Sequence, residues 1–159
     1  MSVDLKARQF VSQHSAKESI PNLDPILYPR SISVIGASPA FGKWGQLILT
    51  NIVAGGFEGK IFPVNPKETS LCGLQSYGSI LEVPEEVDLA FITVPAARVK
   101  EVLEDCGKKG VKGLVMITSG FSEAGPEGAE LEKEVVAICQ RCGMVLIGPN
   151  TMGIISPYS

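Results

Sequence analysis

From Ser31 onward the chain alternates two textures, and this alternation is the strongest constraint on its fold. Short continuous apolar runs occur at Ile32–Ile35, Ile61–Val64, Leu89–Val94, Leu114–Ile117 and Met144–Ile147. They are rich in Val and Ile, and most end at Gly, Pro, Ser or Asn. Runs that are apolar throughout suit strands covered on both faces, as in a parallel sheet. Between them lie segments of helical period. Val99, Val102, Leu103 and Cys106 recur at i, i+3, i+4 and i+7, and Leu131, Val135, Ile138, Cys139 and Cys142 follow the same stripe. Pro126 stands where a helix would start, and Gly107 and Gly143 where helices would stop. Leu71–Val87, punctuated by Gly73, Gly78 and Pro84, is expected to hold a short strand and a short helix. Strand alternating with helix predicts an α/β fold, a doubly wound parallel sheet with right-handed crossovers.

A chain of 159 residues fits one domain better than two. Residues 1–22 read as an appended tail in which Leu5–Ala16 can form an amphipathic helix. Pro21, Pro25 and Pro29 then impose an extended, irregular approach to the first strand. Residues 23–159 form the domain. Seventeen acidic against fourteen basic side chains leave a net charge of −3, which argues against nucleic acid as a partner. No apolar run approaches the roughly 20 residues of a membrane span. The first residues lack the charged start and apolar stretch of a secretory signal. Four cysteines in a chain of this length make no disulfide scaffold. The expected location is the cytoplasm.

The first apolar run ends at Gly36 and continues through Ala37, Ser38 and Pro39 to Gly42-Lys43-Trp44-Gly45, with a helix expected over Gln46–Ala54. In a doubly wound sheet this turn lies beside the crevice where ligands bind. Glycines there let the backbone approach a diphosphate, and the helix start offers free N–H groups. The spacing departs from the dinucleotide fingerprint, because Ser38 stands where its second glycine belongs. It is not a P-loop either, since no Gly-Lys-Ser/Thr triplet closes it. A plain tight turn without ligand is the alternative.

The second apolar run ends in Asn65-Pro66-Lys67. Enzymes that prefer NAD carry an acid at this strand tip to accept from the ribose hydroxyl. Here Lys67 puts a cation there, which suits a ribose bearing an extra phosphate. NADP and coenzyme A both have one; a solvated surface lysine is the competing reading.

In order along the chain stand Pro29-Arg30-Ser31-Ile32, Gly36-Ala37-Ser38, Gly56-Phe57-Glu58-Gly59-Lys60-Ile61, Val64-Asn65-Pro66-Lys67 and Val87-Asp88-Leu89-Ala90. They are followed by Val94-Pro95-Ala96, Ser119-Gly120-Phe121-Ser122-Glu123 and Gly148-Pro149-Asn150-Thr151-Met152-Gly153. This series, from about Leu23 to Pro157, resembles the N-terminal coenzyme A-binding domain of the NDP-forming acyl-CoA synthetases, relatives of the succinyl-CoA synthetase alpha subunit. The resemblance implies a Rossmann-like domain with coenzyme A along its strand ends. Gly42, Lys43, Trp44 and Gly45 would hold phosphates at the helix start, with Gly36 and Ser38 as the base of the loop. Lys67 would meet the phosphorylated ribose beside Asn65 and Pro66. Val94 and Pro95 would pack on the adenine. Thr118 and Ser119 would line the next strand end, where the alpha-subunit relatives carry an acid, and Asn150 would lie toward the thiol.

The resemblance also implies that no catalytic residue lies in this chain. In that family a histidine of a later domain carries phosphate to the acid, and an ATP-grasp portion binds the nucleotide. The single histidine here, His14, matches no such motif and reads as a surface side chain. The chain ends at Ser159, about where a next domain would begin, so the remaining domains or subunit of the ligase are the expected partners. A regulatory module of a protein acyltransferase and an NADP-binding sensor or reductase domain are the alternatives.

Three weaker signals read as structural. Cys139-Gln140-Arg141-Cys142 has redox or zinc spacing, yet both thiols fall on the apolar helix face and no second pair exists; no metal is expected. The acidic cluster from Glu127 to Glu134 suits a helix start. Ser119 and Ser122 lack a partner histidine.

Overall fold

The computed structural model describes residues 21–154; the helix expected over Leu5–Ala16, and His14, lie outside them. Five parallel strands form the main sheet: β1 (Ser31–Ile35), β2 (Lys60–Val64), β5 (Leu89–Ile92), β6 (Gly113–Met116) and β7 (Val145–Ile147). Their order is β2-β1-β5-β6-β7. Register is regular, with Ile32 opposite Ile61 on one side and Leu89 on the other. The helices are α1 (Asp24–Leu27), α2 (Trp44–Ala54), α3 (Ala96–Lys109) and α4 (Pro126–Cys142).

Side chains alternate across the strands and build two cores. Ile35, Ala90, Ile92, Leu114 and Met116 point to the face covered by α3 and α4, where Val99, Leu103, Val135 and Ile138 meet them. Ile32, Val34, Leu89 and Val115 point to the other face, closed by Leu49 of α2 and Ile26 of α1. All five residues of β1 are buried, as expected of a strand covered on both sides. Pro63 is tolerated inside β2 because β2 is an edge strand of the main sheet. Its carbonyl is still used, accepting from Tyr77 N–H at 3.0 Å.

The structure departs from sequence expectation in four places. Helix α3 does not stop at Gly107; it runs to Lys109 and ends at Gly110, whose φ of +85° forms the left-handed cap. Gly107 is packed instead, since a Cβ there would meet Cys142 Sγ at 2.5 Å. Helix α2 starts two residues before Gln46. The stretch Leu71–Val87 holds the hairpin strands β3 (Ser70–Leu71) and β4 (Leu74–Gln75) and a three-residue 3-10 turn, Ile80–Glu82, rather than one strand and a helix. The approach to β1 contains the one-turn helix α1, which accommodates Pro25 in its first turn, where no intrahelical N–H bond is needed.

Candidate functional site

The strand order reverses between β1 and β5: from β1 the chain passes outward to β2, and later returns to lay β5 on β1's other side. The loops after β1 and β5 therefore diverge, which opens the crevice where α/β sheets bind ligands. Two cavities occupy it, and Val94 contributes to both.

The first measures about 300 Å³. Trp44, Val94, Pro95, Thr118, Ser119 and Asn150 line it, bringing six of the expected residues together from four separate segments. The strand ends are tied to one another around it. Thr93 Oγ1 donates to Ile35 O at 3.0 Å, and Thr118 Oγ1 donates to Val94 O at 2.7 Å. Asn150, in a left-handed conformation with φ +54°, donates its N–H to Thr118 O at 3.0 Å. The next loop is closed by Glu123, which accepts from Gly120 N–H at 2.6 Å. That bond holds its carboxyl below the ordinary range.

The second cavity, about 200 Å³, opens between the ends of β1 and β2 and the side of α3. Gly36 and Pro66 line it, and its floor is apolar, from Ile35, Val64, Ile80 and Val94. Its rim is charged and polar: Arg98 and Glu101 of α3, and Ser79.

The glycine loop is built by close backbone approach. Gly36 has φ +90°, and a Cβ there would sit 2.6 Å from Thr93 Oγ1. At Gly45 a Cβ would sit 2.1 Å from Gly36 O. The start of α2 is thus pressed directly against the end of β1. Neither Lys43, which caps α2, nor Pro95, which caps α3, supplies a side-chain cap, so the first N–H groups of both helices meet no capping side chain.

Six expected residues line neither cavity: Ser38, Gly42, Lys43, Gly45, Asn65 and Lys67. Two of them are engaged with backbone. Ser38 Oγ accepts from Ala40 N–H at 3.1 Å, and Asn65 links its own strand tip to the glycine loop. Lys67 is exposed, with its N–H held by Asn65 Oδ1 at 2.8 Å.

Sequence reading missed Thr93, Ala96, Ile117, Thr151 and Met152 around the first cavity, and Ser79 and Arg98 at the second. Thr93 and Ile117 adjoin expected residues at the strand tips, so strand-end position alone was a usable signal. Arg98 carried none, being one polar residue among several off the apolar stripe of α3.

A family model described as a CoA binding domain matches residues 30–157. The chain belongs to the CoA-binding domain family. Acetate–CoA ligase (ADP-forming) II of Archaeoglobus fulgidus is 48% identical over 138 residues, covering 87% of this chain and 20% of the relative. The alpha subunit of acetate–CoA ligase (ADP-forming) I of Pyrococcus furiosus is 46% identical, covering 84% and 30%. Among solved structures, the dinucleotide-forming acetyl-coenzyme A synthetase 1 of Ca. Korarchaeum cryptofilum, in complex with phosphate and ADP, superposes with a TM-score of 0.81 at 44% identity, covering 84% of this chain and 28% of that one. This CoA-binding domain is thus homologous to one part of ADP-forming acyl-CoA synthetases and spans less than a third of each of these three relatives. Among the described residues, no helix is long and apolar enough to cross a membrane, and no three potential ligands cluster as a metal site would need.

Proposed function

We propose that this CoA-binding domain serves an NDP-forming acid–thiol ligase, presenting coenzyme A while the chemistry is done by groups outside the chain. The observation that carries the reading is the pair of adjoining cavities at the strand ends, one apolar-floored beside the β2 tip and one reaching the β6 and β7 loops. A long ligand with a nucleotide head and a thiol tail can lie along such a crevice. In this reading the purine occupies the second cavity, against Val94 and the tips of β1 and β2. The diphosphate lies at the start of α2, where Gly42-Lys43-Trp44-Gly45 follow the loop based on Gly36 and Ser38. Asn65 and Pro66 shape the neighbouring strand tip, and Lys67 approaches the phosphorylated ribose from it. The thiol arm runs past Trp44, Val94 and Pro95 toward Thr118, Ser119 and Asn150 in the first cavity.

The chain's own residues bind and orient in this scheme; none transfers a proton or a phosphoryl group. A carrier of phosphate and a nucleotide-binding portion belong to the rest of the ligase, its principal partner, and the cytoplasm is its place of action.

Trp44 is the only tryptophan of the chain and lines the first cavity. Titration of its fluorescence with coenzyme A, NADP and NAD at equal concentrations tests the reading. A saturable change with coenzyme A, accompanied by a raised unfolding temperature, is the expected result. Selective response to NADP would replace it with the dinucleotide reading. Formation of acyl-CoA from acid, ATP and coenzyme A by the chain alone would show that the catalyst lies within it.

A further inference from the structure

The second cavity carries a cation that the scheme above leaves without a task. Arg98, in the first turn of α3, lines the cavity together with Pro66, the residue that precedes Lys67 in the chain. Its Nε donates to Glu101 Oε2 at 2.9 Å, one turn further along the same helix. Both side chains are more than half exposed, at 57% and 64%.

We propose that Arg98 determines specificity for the phosphorylated ribose of coenzyme A, and that Glu101 holds its guanidinium at the cavity rim until the phosphate takes the carboxylate's place. The inference rests on the coenzyme A reading of the site. An exposed pair three residues apart on a helix shifts an equilibrium by only about twofold, so releasing Arg98 from Glu101 is easy. A guanidinium meeting a phosphate forms two parallel charge-assisted bonds and gains more than it gives up.

The surrounding groups favour the exchange. The other carboxylate on this wall, Asp105, is occupied by Lys108 at 2.8 Å and does not compete for Arg98. Ser79 Oγ accepts from Leu81 N–H, and among the described residues its own O–H donates to no protein group. It can therefore donate to the same ligand oxygens. The ribose phosphate would thus be read from α3 through Arg98 and from the stretch after β4 through Ser79, as well as by Lys67 in the loop after β2.

Calorimetric titration of the full chain with coenzyme A and with dephospho-coenzyme A, at low salt, tests this. Wild type is expected to prefer coenzyme A. Arg98→Ala should weaken coenzyme A binding on the order of tenfold while leaving the dephospho ligand unchanged, as loss of one charge-assisted contact predicts. Glu101→Gln, which frees the guanidinium, should tighten coenzyme A about twofold and leave dephospho-coenzyme A as it was. Arg98→Lys keeps the charge and stem but not the fork, so it should retain part of the preference and serves as the second variant if Arg98→Ala unfolds. Equal weakening of both ligands by Arg98→Ala, or of neither, in a protein with unchanged unfolding temperature, would overturn the proposal while leaving coenzyme A binding intact. If wild type binds neither ligand, the coenzyme A reading itself fails and this inference with it.

Discussion

Asn65 Nδ2 donates to Ala37 O at 2.7 Å, joining the tip of β2 to the glycine loop that follows β1. The same side chain accepts Lys67 N–H on its Oδ1. One amide therefore fixes both the loop expected to receive phosphate and the turn that carries the lysine. Each end of the amide makes a bond to backbone, so the side chain positions the loop and the turn relative to one another.

Asn65→Ala should cost about 1 kcal/mol from each of the two lost hydrogen bonds. Ala37 O would lose its partner, while Lys67 N–H, being exposed, can turn to water. Urea unfolding should show the lowered midpoint, and coenzyme A affinity should fall together with it. Asn65→Asp separates the two roles: its carboxylate still accepts from Lys67 but has nothing to donate to Ala37. Its stability should fall at least as far as that of the alanine variant. A stability equal to wild type would mean the link to Ala37 carries no weight.

Gly45 and Gly42 respond to alanine for different reasons. A Cβ at Gly45 would overlap backbone, 2.1 Å from Gly36 O, so α2 must shift away from β1. That is overpacking, at roughly 1–3 kcal/mol, and it also moves the helix start proposed to face the ligand. Gly42 has open space around it but a φ of +81°, so Gly42→Ala meets only left-handed strain of ~1–2 kcal/mol. The expected result is that both lower the unfolding midpoint, while Gly45→Ala weakens coenzyme A binding by the larger factor. The reverse order in binding would place the ligand away from the α2 start.

The sheet was legible because its inner strands are buried on both faces and read as apolar runs rich in Val and Ile, a texture that the less buried edge strands β2 and β7 share. All five runs became strands, off by one or two residues at their ends. The helix stop at Gly107 misled because a glycine can serve close packing as well as a turn, and only the neighbour, Cys142, tells which. For the site, residues at strand tips could be foreseen, since topology sends every parallel strand end to one edge. Ser79 and Arg98 could not, because their place at the cavity depends on how the irregular stretch after β4 folds back toward α3. No periodicity encodes that.

At the opposite end of the sheet Asp88 accepts from Arg30 N–H at 2.8 Å and from its guanidinium at 3.3 Å. Burial pushes the Asp88 carboxyl up, but the combined hydrogen bonds and charge of Arg30 outweigh it and hold the group below its ordinary 3.8. The folded state thus binds the proton less readily than the unfolded chain. The resulting stability is fully present above the ordinary value and is lost as pH falls through the lowered one. Asp88→Asn should cost on the order of 1 kcal/mol near neutrality. The gap between wild type and variant should stay constant down to about pH 5 and narrow below about pH 4. A gap that narrows instead between about pH 6 and 8 would exclude Asp88 as its source.

The four thiols should divide by environment, which also decides between packing and chemistry for the Cys139/Cys142 pair. Cys72 is exposed on the turn between β3 and β4, whereas Cys106 and Cys139 are buried and Cys142 is half-buried. Burial, with the Asp105 charge nearby, pushes the Cys106 thiol up to about 12, and burial with the neighbouring Cys142 pushes Cys139 up to about 11. At pH 8 a thiol with pKa 11 is only about one part in a thousand thiolate, and the thiolate is the reacting species. An aromatic disulfide reagent should therefore label Cys72 in a fast phase and Cys142 more slowly. Cys106 and Cys139 should react only when denaturant is added, bringing the total to four. Cys72→Ser should abolish the fast phase. If a fast phase survives that substitution and disappears in Cys139→Ser, the pair has a lowered thiol pKa and works as a redox motif rather than as part of the α3–α4 packing.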